Sequence, residues 1–257
     1  MNKIALITGA TAGIGEATAE LLVNNGYRVI ITGRRKERLG EIGDKLKLRN
    51  NGSVYTLDFD VRDKAQVDEA IDSLPEAWAN IDILINNAGL ASGMSPLQSG
   101  DTEDWEKMID TNIKGLLYVT RAVAPGMIER KRGQIVNIGS IAGKEVYPNG
   151  NVYCATKHAV DAITKGMRRD MLEDGIKVSQ VAPGAVETEF SVVRFHGDEA
   201  RAEEVYKGYQ PLMAKDVAET ILFVVSRPDH VNINDILVMP TAQAAATHFN
   251  KDKEDNW

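Results

Sequence analysis

The chain has 257 residues, of which 43% are hydrophobic and 26% charged, with a formal net charge of -7. That length suits one large α/β domain with a sizeable core and requires no second domain, and no stretch approaches the about 18–20 apolar residues of a membrane span. An acidic balance excludes nucleic acid as the principal partner, because phosphate binding needs a concentrated basic surface; the single cysteine, Cys154, excludes an internal disulfide and suits a reducing compartment. No signal-like segment precedes the first apolar run, so the expected location is cytoplasmic.

The first predicted strand, Lys3–Thr8, runs into Thr8-Gly9-Ala10-Thr11-Ala12-Gly13-Ile14-Gly15, and a helical stretch from Glu16 to Asn25 follows. Strand, glycine turn and helix is the order of a dinucleotide phosphate site. Gly9 allows a tight turn, Gly13 lets the backbone approach a pyrophosphate, and Gly15 lets the helix pack close to the strand, with the phosphates at the helix N-terminus. The plainer alternative is an ordinary strand-to-helix turn. A nucleotide-hydrolase loop is disfavoured because no Gly-Lys-Ser/Thr closes the motif, and the spacing also departs from G-x-G-x-x-G, with Thr18 where a third glycine would stand.

A second strand, Tyr27–Thr32, ends in Thr32-Gly33-Arg34-Arg35 ahead of a predicted helix over Lys36–Leu48. An acidic residue there would accept the ribose hydroxyls of NAD and repel a 2′-phosphate. Arg34 and Arg35 instead offer permanently charged forks suited to a phosphate dianion, which favours NADP; the competing reading is a solvated helix start. Further strands are predicted at Ser53–Asp58, Ile81–Asn86, Gln134–Gly139, Lys177–Val181 and Asp235–Met239, with helices between them. The apolar density of Ile81-Asp82-Ile83-Leu84-Ile85 suits a strand covered on both faces. Helix starts are expected at Asp63, at Asp101 or Thr102 and at Ala214–Lys215, and long periodic stretches at Trp105–Ile128 and Val152–Leu172. This alternation predicts an α/β chain, a single-domain Rossmann-like doubly wound sheet of about seven parallel strands with helices on both faces. The expected domain spans residues 1–250, with a substrate loop at about 185–210, and residues 251–257 form a polar C-terminal tail.

Within the second long helix, Tyr153 and Lys157 are four apart, which puts phenol and ammonium on one face, about 5–6 Å apart at their β-carbons. A lysine charge beside a phenol favours the phenolate and lowers its pKa from about 10 toward working pH, where it exchanges a proton with an alcohol or carbonyl. Ser140, which closes the apolar run from Gln134 to Gly139, offers a hydroxyl to hold the same oxygen. Taken alone, the pair also suits a solvated helix, and Cys154 reads as a small packing residue. His158, His196, His230 and His248 are scattered without zinc spacing, and no metal is expected.

Together these motifs resemble the short-chain dehydrogenase/reductase family, whose T-G-x-x-x-G-x-G matches Thr8 to Gly15. Asn86-Asn87-Ala88-Gly89 looks like the family's N-N-A-G after its fourth strand, and Asn112 in Thr111-Asn112-Ile113-Lys114-Gly115 falls at its structural and catalytic asparagine. Ser140, Tyr153 and Lys157 complete a tetrad, and Pro183-Gly184-Ala185-Val186-Glu187-Thr188 resembles the P-G-x-V-x-T segment that passes the nicotinamide carboxamide. The resemblance implies NADP held by Gly9, Thr11, Gly13, Ile14, Gly15, Arg34, Arg35, Asp60, Val61, Asn87, Ala88, Gly89, Tyr153, Lys157, Pro183, Gly184, Val186 and Thr188. In it, Asp60 accepts from the adenine amino group and Val61 packs on the ring. It implies catalysis by Asn112, Ser140, Tyr153 and Lys157. Ser140 holds the substrate oxygen, Tyr153 exchanges its proton, Lys157 depresses the phenol and binds the nicotinamide ribose, and Asn112 holds a water that extends the proton path. It also implies a homotetramer in which the two long helices pack against another subunit; a monomer with those faces in its own core is the alternative.

Substrate choice is expected in the loops Leu90–Ser95 and Thr188–Asp198. The second loop, with Asn151-Val152-Tyr153 and the run Asp229–Asn234, looks like the subgroup of NADP-dependent 3-hydroxy acid dehydrogenases that oxidise serine, allo-threonine and 3-hydroxypropionate-like acids. Arg194 is the expected carboxylate anchor, since a guanidinium grips a carboxylate with two hydrogen bonds. Its competing readings are a pair with Asp198 or Glu189, or contact with cofactor phosphate. A reductase of neutral carbonyls or acyl-carrier thioesters is the alternative activity; the latter needs a basic docking patch, for which Arg168-Arg169 and Arg130-Lys131-Arg132 are the candidates. A non-catalytic dinucleotide sensor on the same fold would show a degraded tetrad.

Overall fold

The computed structural model describes residues 3–48 and 54–251, so the predicted strand start at Ser53 and all but the first residue of the polar tail lie outside them. The strands are β1 Ile4–Ile7, β2 Arg28–Gly33, β3 Val54–Asp58, β4 Ile83–Asn86, β5 Gly133–Ile138, β6 Ile176–Pro183, β7 Val186–Glu187, β8 Leu212–Met213, β9 Asp235–Val238, β10 Gln243–Ala245 and β11 His248–Phe249. Seven of them form one sheet in the order β3-β2-β1-β4-β5-β6-β9, with every neighbouring pair parallel. Those seven are the predicted ones. The four short additions, a β7–β8 bridge and a β10–β11 hairpin, fall in segments too brief to show a period of two.

The helices are α1 Gly13–Asn24, α2 Lys36–Lys47, α3 Lys64–Asp72, α4 Glu76–Ala79, α5 Thr102–Ile109, α6 Leu116–Glu129, α7 Asn151–Asp170, α8 Phe190–Arg194, α9 Glu199–Glu204 and α10 Ala214–Val225. Side chains alternate across each strand, so the sheet splits the core in two. Ile4 and Leu6 of β1 and Leu84 of β4 pack with Val67 of α3, Val119 and Val123 of α6 and Val160 of α7. Ala5 and Ile7, with Ile83 and Ile85, pack with Leu22 of α1, Leu39 and Ile42 of α2 and Val217 and Ile221 of α10 on the other face. Asp63 and Asp101 cap their helices as expected, accepting from Ala65 N at 2.9 Å and Glu103 N at 2.8 Å.

One predicted helix is not continuous. The stretch Trp105–Ile128 is α5 and α6 joined by a π-helical turn, Asp110–Gly115. A π-turn widens the helix and re-aims its side chains. Here Asn112 is turned under the loop after β4, and Gly115 is forced to be small because a Cβ there would lie 2.7 Å from Val61 Cγ2.

A charge cluster ties the sheet edge to the segment after Ser140. Lys144 Nζ lies 2.6 Å from both Asp161 of α7 and Asp235 of β9, and buried Gln180 donates to both carboxylates at 3.1 and 3.2 Å. Burial alone would raise the Asp161 carboxyl, but hydrogen bonds from Lys144, Lys165 and Gln180 together with the Lys144 charge hold it at about 2. A carboxyl depressed in the folded state contributes stability that is present above the unfolded value of about 4 and lost as pH falls through about 2. Asp161→Asn is expected to lower the unfolding free energy by about 2 kcal/mol at neutral pH. In urea titrations the difference from the unmodified chain should shrink from pH about 4 downward; a constant difference would place the effect elsewhere.

Candidate active site

β1 lies mid-sheet, with β2 and β3 to one side and β4, β5 and β6 to the other. The chain order reverses there, and in such sheets the crevice beyond the strand C-termini is where ligands bind. The turns after β1 through β6 converge with α7 on a cleft of about 860 Å³. Gly9 and Gly13 have φ of 66° and 53°, which L side chains rarely adopt. A Cβ on Gly9 would meet Ala88 Cα at 2.9 Å, and one on Gly15 would meet Gly9 O at 2.4 Å and Asn87 Nδ2 at 2.5 Å. Gly15 does not line the cleft; it lets α1 close on the turn. Asn87 Nδ2 donates to Thr8 O at 2.9 Å and Ala88 N to Thr8 Oγ1 at 2.9 Å, which locks the turns after β1 and β4 together.

Apart from Gly15, every residue expected at the cofactor lines this cleft. At one end, Arg34 Nη1 is 3.5 Å from Asp60, which Arg62 holds at 2.6 Å. Arg35 donates from Nε and Nη2 to Thr11 Oγ1 at 3.2 and 3.0 Å, and from Nη1 to Glu189 at 2.9 Å. Arg38, which the sequence reading passed over, joins them by donating to the other Glu189 oxygen at 2.6 Å. Its place in the first turn of the helix that follows Arg34-Arg35 was the available signal. The cleft, the positive-φ turn and this cationic end fit a phosphorylated dinucleotide, and Thr111 Oγ1, beside Asn112, is buried there without a partner.

At the other end stand Ser140, Tyr153 and Lys157. Ser140 Oγ accepts from Ala142 N at 3.1 Å and stands beside the Tyr153 phenol in the cleft. Lys157 Nζ donates to Ile138 O at 2.9 Å, and burial pushes its pKa down to about 8. The expected lowering of Tyr153 by Lys157 does not appear. Burial, the largest effect, raises the phenol well above its ordinary value and Tyr147 adds to the rise; Arg194 and the Ser140 hydroxyl oppose it. The spacing of four predicts a shared face but not the depth of that face, and desolvation outweighs the neighbouring charge. The cation over the ring is Arg194, its Cζ 5.2 Å from the centroid.

Asn112 does not line the cleft; it braces it. Its Oδ1 accepts from Leu90 N at 2.8 Å, and its Nδ2 donates to Leu90 O at 2.8 Å and Thr156 Oγ1 at 3.0 Å. Arg194, at the end of α8, donates to the Tyr147 hydroxyl, while its Nε is buried without a partner. It pairs with neither lid acid, for Glu189 is held by Arg35 and Arg38 and Asp198 caps α9 through Arg201 N at 3.0 Å. Tyr147, Phe190 and the C-terminal residues Ala246, Thr247 and Phe249 complete the walls; no motif marked them, because they reach the cleft only through tertiary structure. The run Asp229–Asn234 does not reach it. Asn234 O instead accepts from Arg168 Nη2 at 2.7 Å. The other basic cluster is engaged as well: Arg130 donates to Ile81 O at 2.6 Å, and Arg132 and Lys131 pair with Asp82 and Asp174.

Residues 3–198 match the family described as short chain dehydrogenase. The chain is 49% identical over 244 residues, 95% of its length and 97% of the relative's, to the NADP-dependent 3-hydroxy acid dehydrogenase YdfG of Escherichia coli (strain K12). It is 48% identical over 245 residues, 95% and 96% of the two chains, to sulfoacetaldehyde reductase 2 of Chromohalobacter salexigens. Among solved structures, the closed form of serine dehydrogenase complexed with NADP+ matches with a TM-score of 0.92 and 47% identity, covering 98% of this chain and 100% of that one.

Because Asn112 satisfies both main-chain groups of half-buried Leu90 and the buried Thr156 hydroxyl, its removal strands donors and acceptors partly shielded from water. Asn112→Ala is expected to cost about 2 kcal/mol of unfolding free energy in urea. A loss near zero would show that the π-turn stands without it.

Proposed function

The chain belongs to the short-chain dehydrogenase family and is an NADP-dependent oxidoreductase, and we propose that it moves hydride between the cofactor and the 3-hydroxyl carbon of small 3-hydroxy acids such as L-serine, L-allo-threonine and 3-hydroxypropionate-like compounds. The observation that carries the substrate reading is the Arg194 guanidinium inside the cleft, over the Tyr153 ring, with its Nε buried and unpartnered. A buried donor without a partner costs free energy, and a carboxylate two carbons from the reacting hydroxyl would satisfy it. The names of the 49% identical relative and of the serine dehydrogenase structure support the same class.

When bound, NADP supplies the hydride acceptor or donor. Arg34 and Arg35 would hold its 2′-phosphate, the amides at the start of α1 its pyrophosphate, Asp60 and Val61 its adenine, and Asn87–Gly89 with the segment from Pro183 to Thr188 its nicotinamide half. Lys157 would bind the nicotinamide ribose. Ser140 would donate to the substrate oxygen, and Tyr153 would pass its proton to that oxygen or take one from it. A phenol raised by burial is protonated at neutral pH, so the site as folded is set as an acid. Alcohol oxidation then needs added positive charge beside the ring. Among the described residues, Lys157 and Arg194 are the two cations placed to supply it. Asn112, braced against Leu90, would hold a water on the proton path.

A second reading keeps the site and changes the anion: reduction of an aldehyde carrying a sulfonate, which the same guanidinium would grip and which the 48% identical relative's name supports. Neutral carbonyls and acyl-carrier thioesters are less suited, since Arg194 would stay unmatched and Arg168, Arg130 and Arg132 are engaged in structural bonds. We also assign a homotetramer, supported by exposed Leu117 on α6 and by Phe223 on α10 and Leu237 on the edge strand β9, 46% and 47% exposed. A cytoplasmic location is assigned with it, supported by the single cysteine.

Tyr153→Phe is expected to lower kcat about a thousandfold in an absorbance assay of nicotinamide reduction with L-serine, with NADP+ binding retained. Retained turnover would move the proton transfer to another group. Arg194→Ala should raise KM for 3-hydroxy acids about thirtyfold and leave simple neutral alcohols within a small factor. Equal effects on both would remove the anchor role.

A further inference from the structure

We propose that Glu189 and the 2′-phosphate of the cofactor compete for one guanidinium pair, Arg35 and Arg38, so that Arg38 is a further residue selecting NADP and displacement of Glu189 is part of cofactor entry. The carboxylate spans the pair, Oε2 to Arg35 Nη1 at 2.9 Å and Oε1 to Arg38 Nη1 at 2.6 Å. These contacts join positions 154 and 151 residues apart in the chain, and they lie beyond the end of β2, where the cofactor ribose is recognised in such sheets.

The remaining Arg35 nitrogens are bound to Thr11 at 3.0–3.2 Å, which fixes the fork and leaves Nη1 as its open arm. The second arginine is aimed by Glu16, 3.8 Å from Arg38 Nη2. Two forks offering one N–H each to separate oxygens of an anion also match two oxygens of a phosphate. A phosphate near double charge cannot join a carboxylate on the same pair without like-charge repulsion. One of them must leave, and the singly charged carboxylate has solvent to turn into. Glu189 is 43% exposed at its side chain and opens the short helix that ends in Arg194. Arg34, 3.5 Å from Asp60, lies outside the Glu189 contact and stays available to the phosphate alongside Arg35. NAD, lacking the phosphate, would leave the Glu189 contact standing.

The inference concerns the cofactor end alone, and its test uses no substrate, so it can fail while the hydroxy acid reading stands. Calorimetric titration of the full chain with 2′,5′-ADP and with 5′-AMP separates the phosphate from the rest of the nucleotide. Glu189→Gln should bind 2′,5′-ADP about fivefold tighter and 5′-AMP unchanged, while Glu189→Asp, which keeps the charge, should stay near the unmodified chain. Arg38→Gln should weaken 2′,5′-ADP about fivefold and spare 5′-AMP. Weaker or unchanged 2′,5′-ADP binding in Glu189→Gln, or an equal shift for both nucleotides, would overturn the competition; an Arg38→Gln chain that binds both as before would overturn the role of Arg38.

Discussion

The site depends on how closely two turns can approach each other. The turn after β1 and the turn after β4 meet with Gly9 against Ala88 and with Gly15 against Gly9 O and Asn87, at separations that no β-carbon tolerates. Asn87 and Thr8 then exchange side-chain and main-chain hydrogen bonds across the contact. This packing opens the crevice at the reversal of strand order and points the first amides of α1 into it. Several other strand ends and α7 bring their residues to that crevice: Arg35 from the end of β2, Asp60 from the end of β3, Ser140 from the end of β5 and Tyr153 with Lys157 from α7.

Electrostatics at the reacting end follow from depth before they follow from neighbours. Tyr153 and Lys157 are 8% and 7% exposed, so both are driven toward their neutral forms, the phenol upward and the ammonium down to about 8. With a pKa of about 8 the lysine still carries its charge for the most part at neutral pH while the phenol is protonated, and neither is held in one state by a tight ion pair, so both stay able to exchange a proton. The Lys157 hydrogen bond to Ile138 O fixes the amine beside the strand end, and Arg194 brings in the permanent positive charge that lysine was expected to provide.

The sheet was legible because burial on both faces leaves unmistakable apolar runs, such as Ile83-Leu84-Ile85, and because glycine turns and aspartate caps have local physical causes. The phosphate turn and the shared face of Tyr153 and Lys157 were legible for the same reason, each lying in a short segment whose spacing sets its geometry, whereas the depth that raises the phenol is not written in that spacing. What escaped was set by contacts distant in sequence. The π-turn around Asn112 depends on Val61 pressing on Gly115 and on Leu90 binding the amide. Tyr147 meets Arg194 from α8 at the wall of the cleft, and Ala246 N donates to Glu145 at 2.8 Å. No period or local motif records such encounters.

The stretch from Thr188 to Arg194 spans both ends of the cleft. Thr188 stands beside Gly13, 3.2 Å from where a β-carbon would be; Glu189 grips Arg35 and Arg38; Phe190 packs edge-on against Tyr153 at 5.7 Å between centroids; Arg194 lies over the same ring. Beyond it, Gly93 N donates to Arg194 O at 2.9 Å, and His196 meets buried Asp104 at 3.0 Å, which moors the far end to the loop after β4 and to α5. One short helix, α8, thus joins the residue that grips the arginine pair to the residue that lies over the tyrosine ring. On the reading proposed above, recognition of the phosphate and placement of the substrate anion would act on this one segment, so that displacement of Glu189 by the cofactor would bear on the position of Arg194.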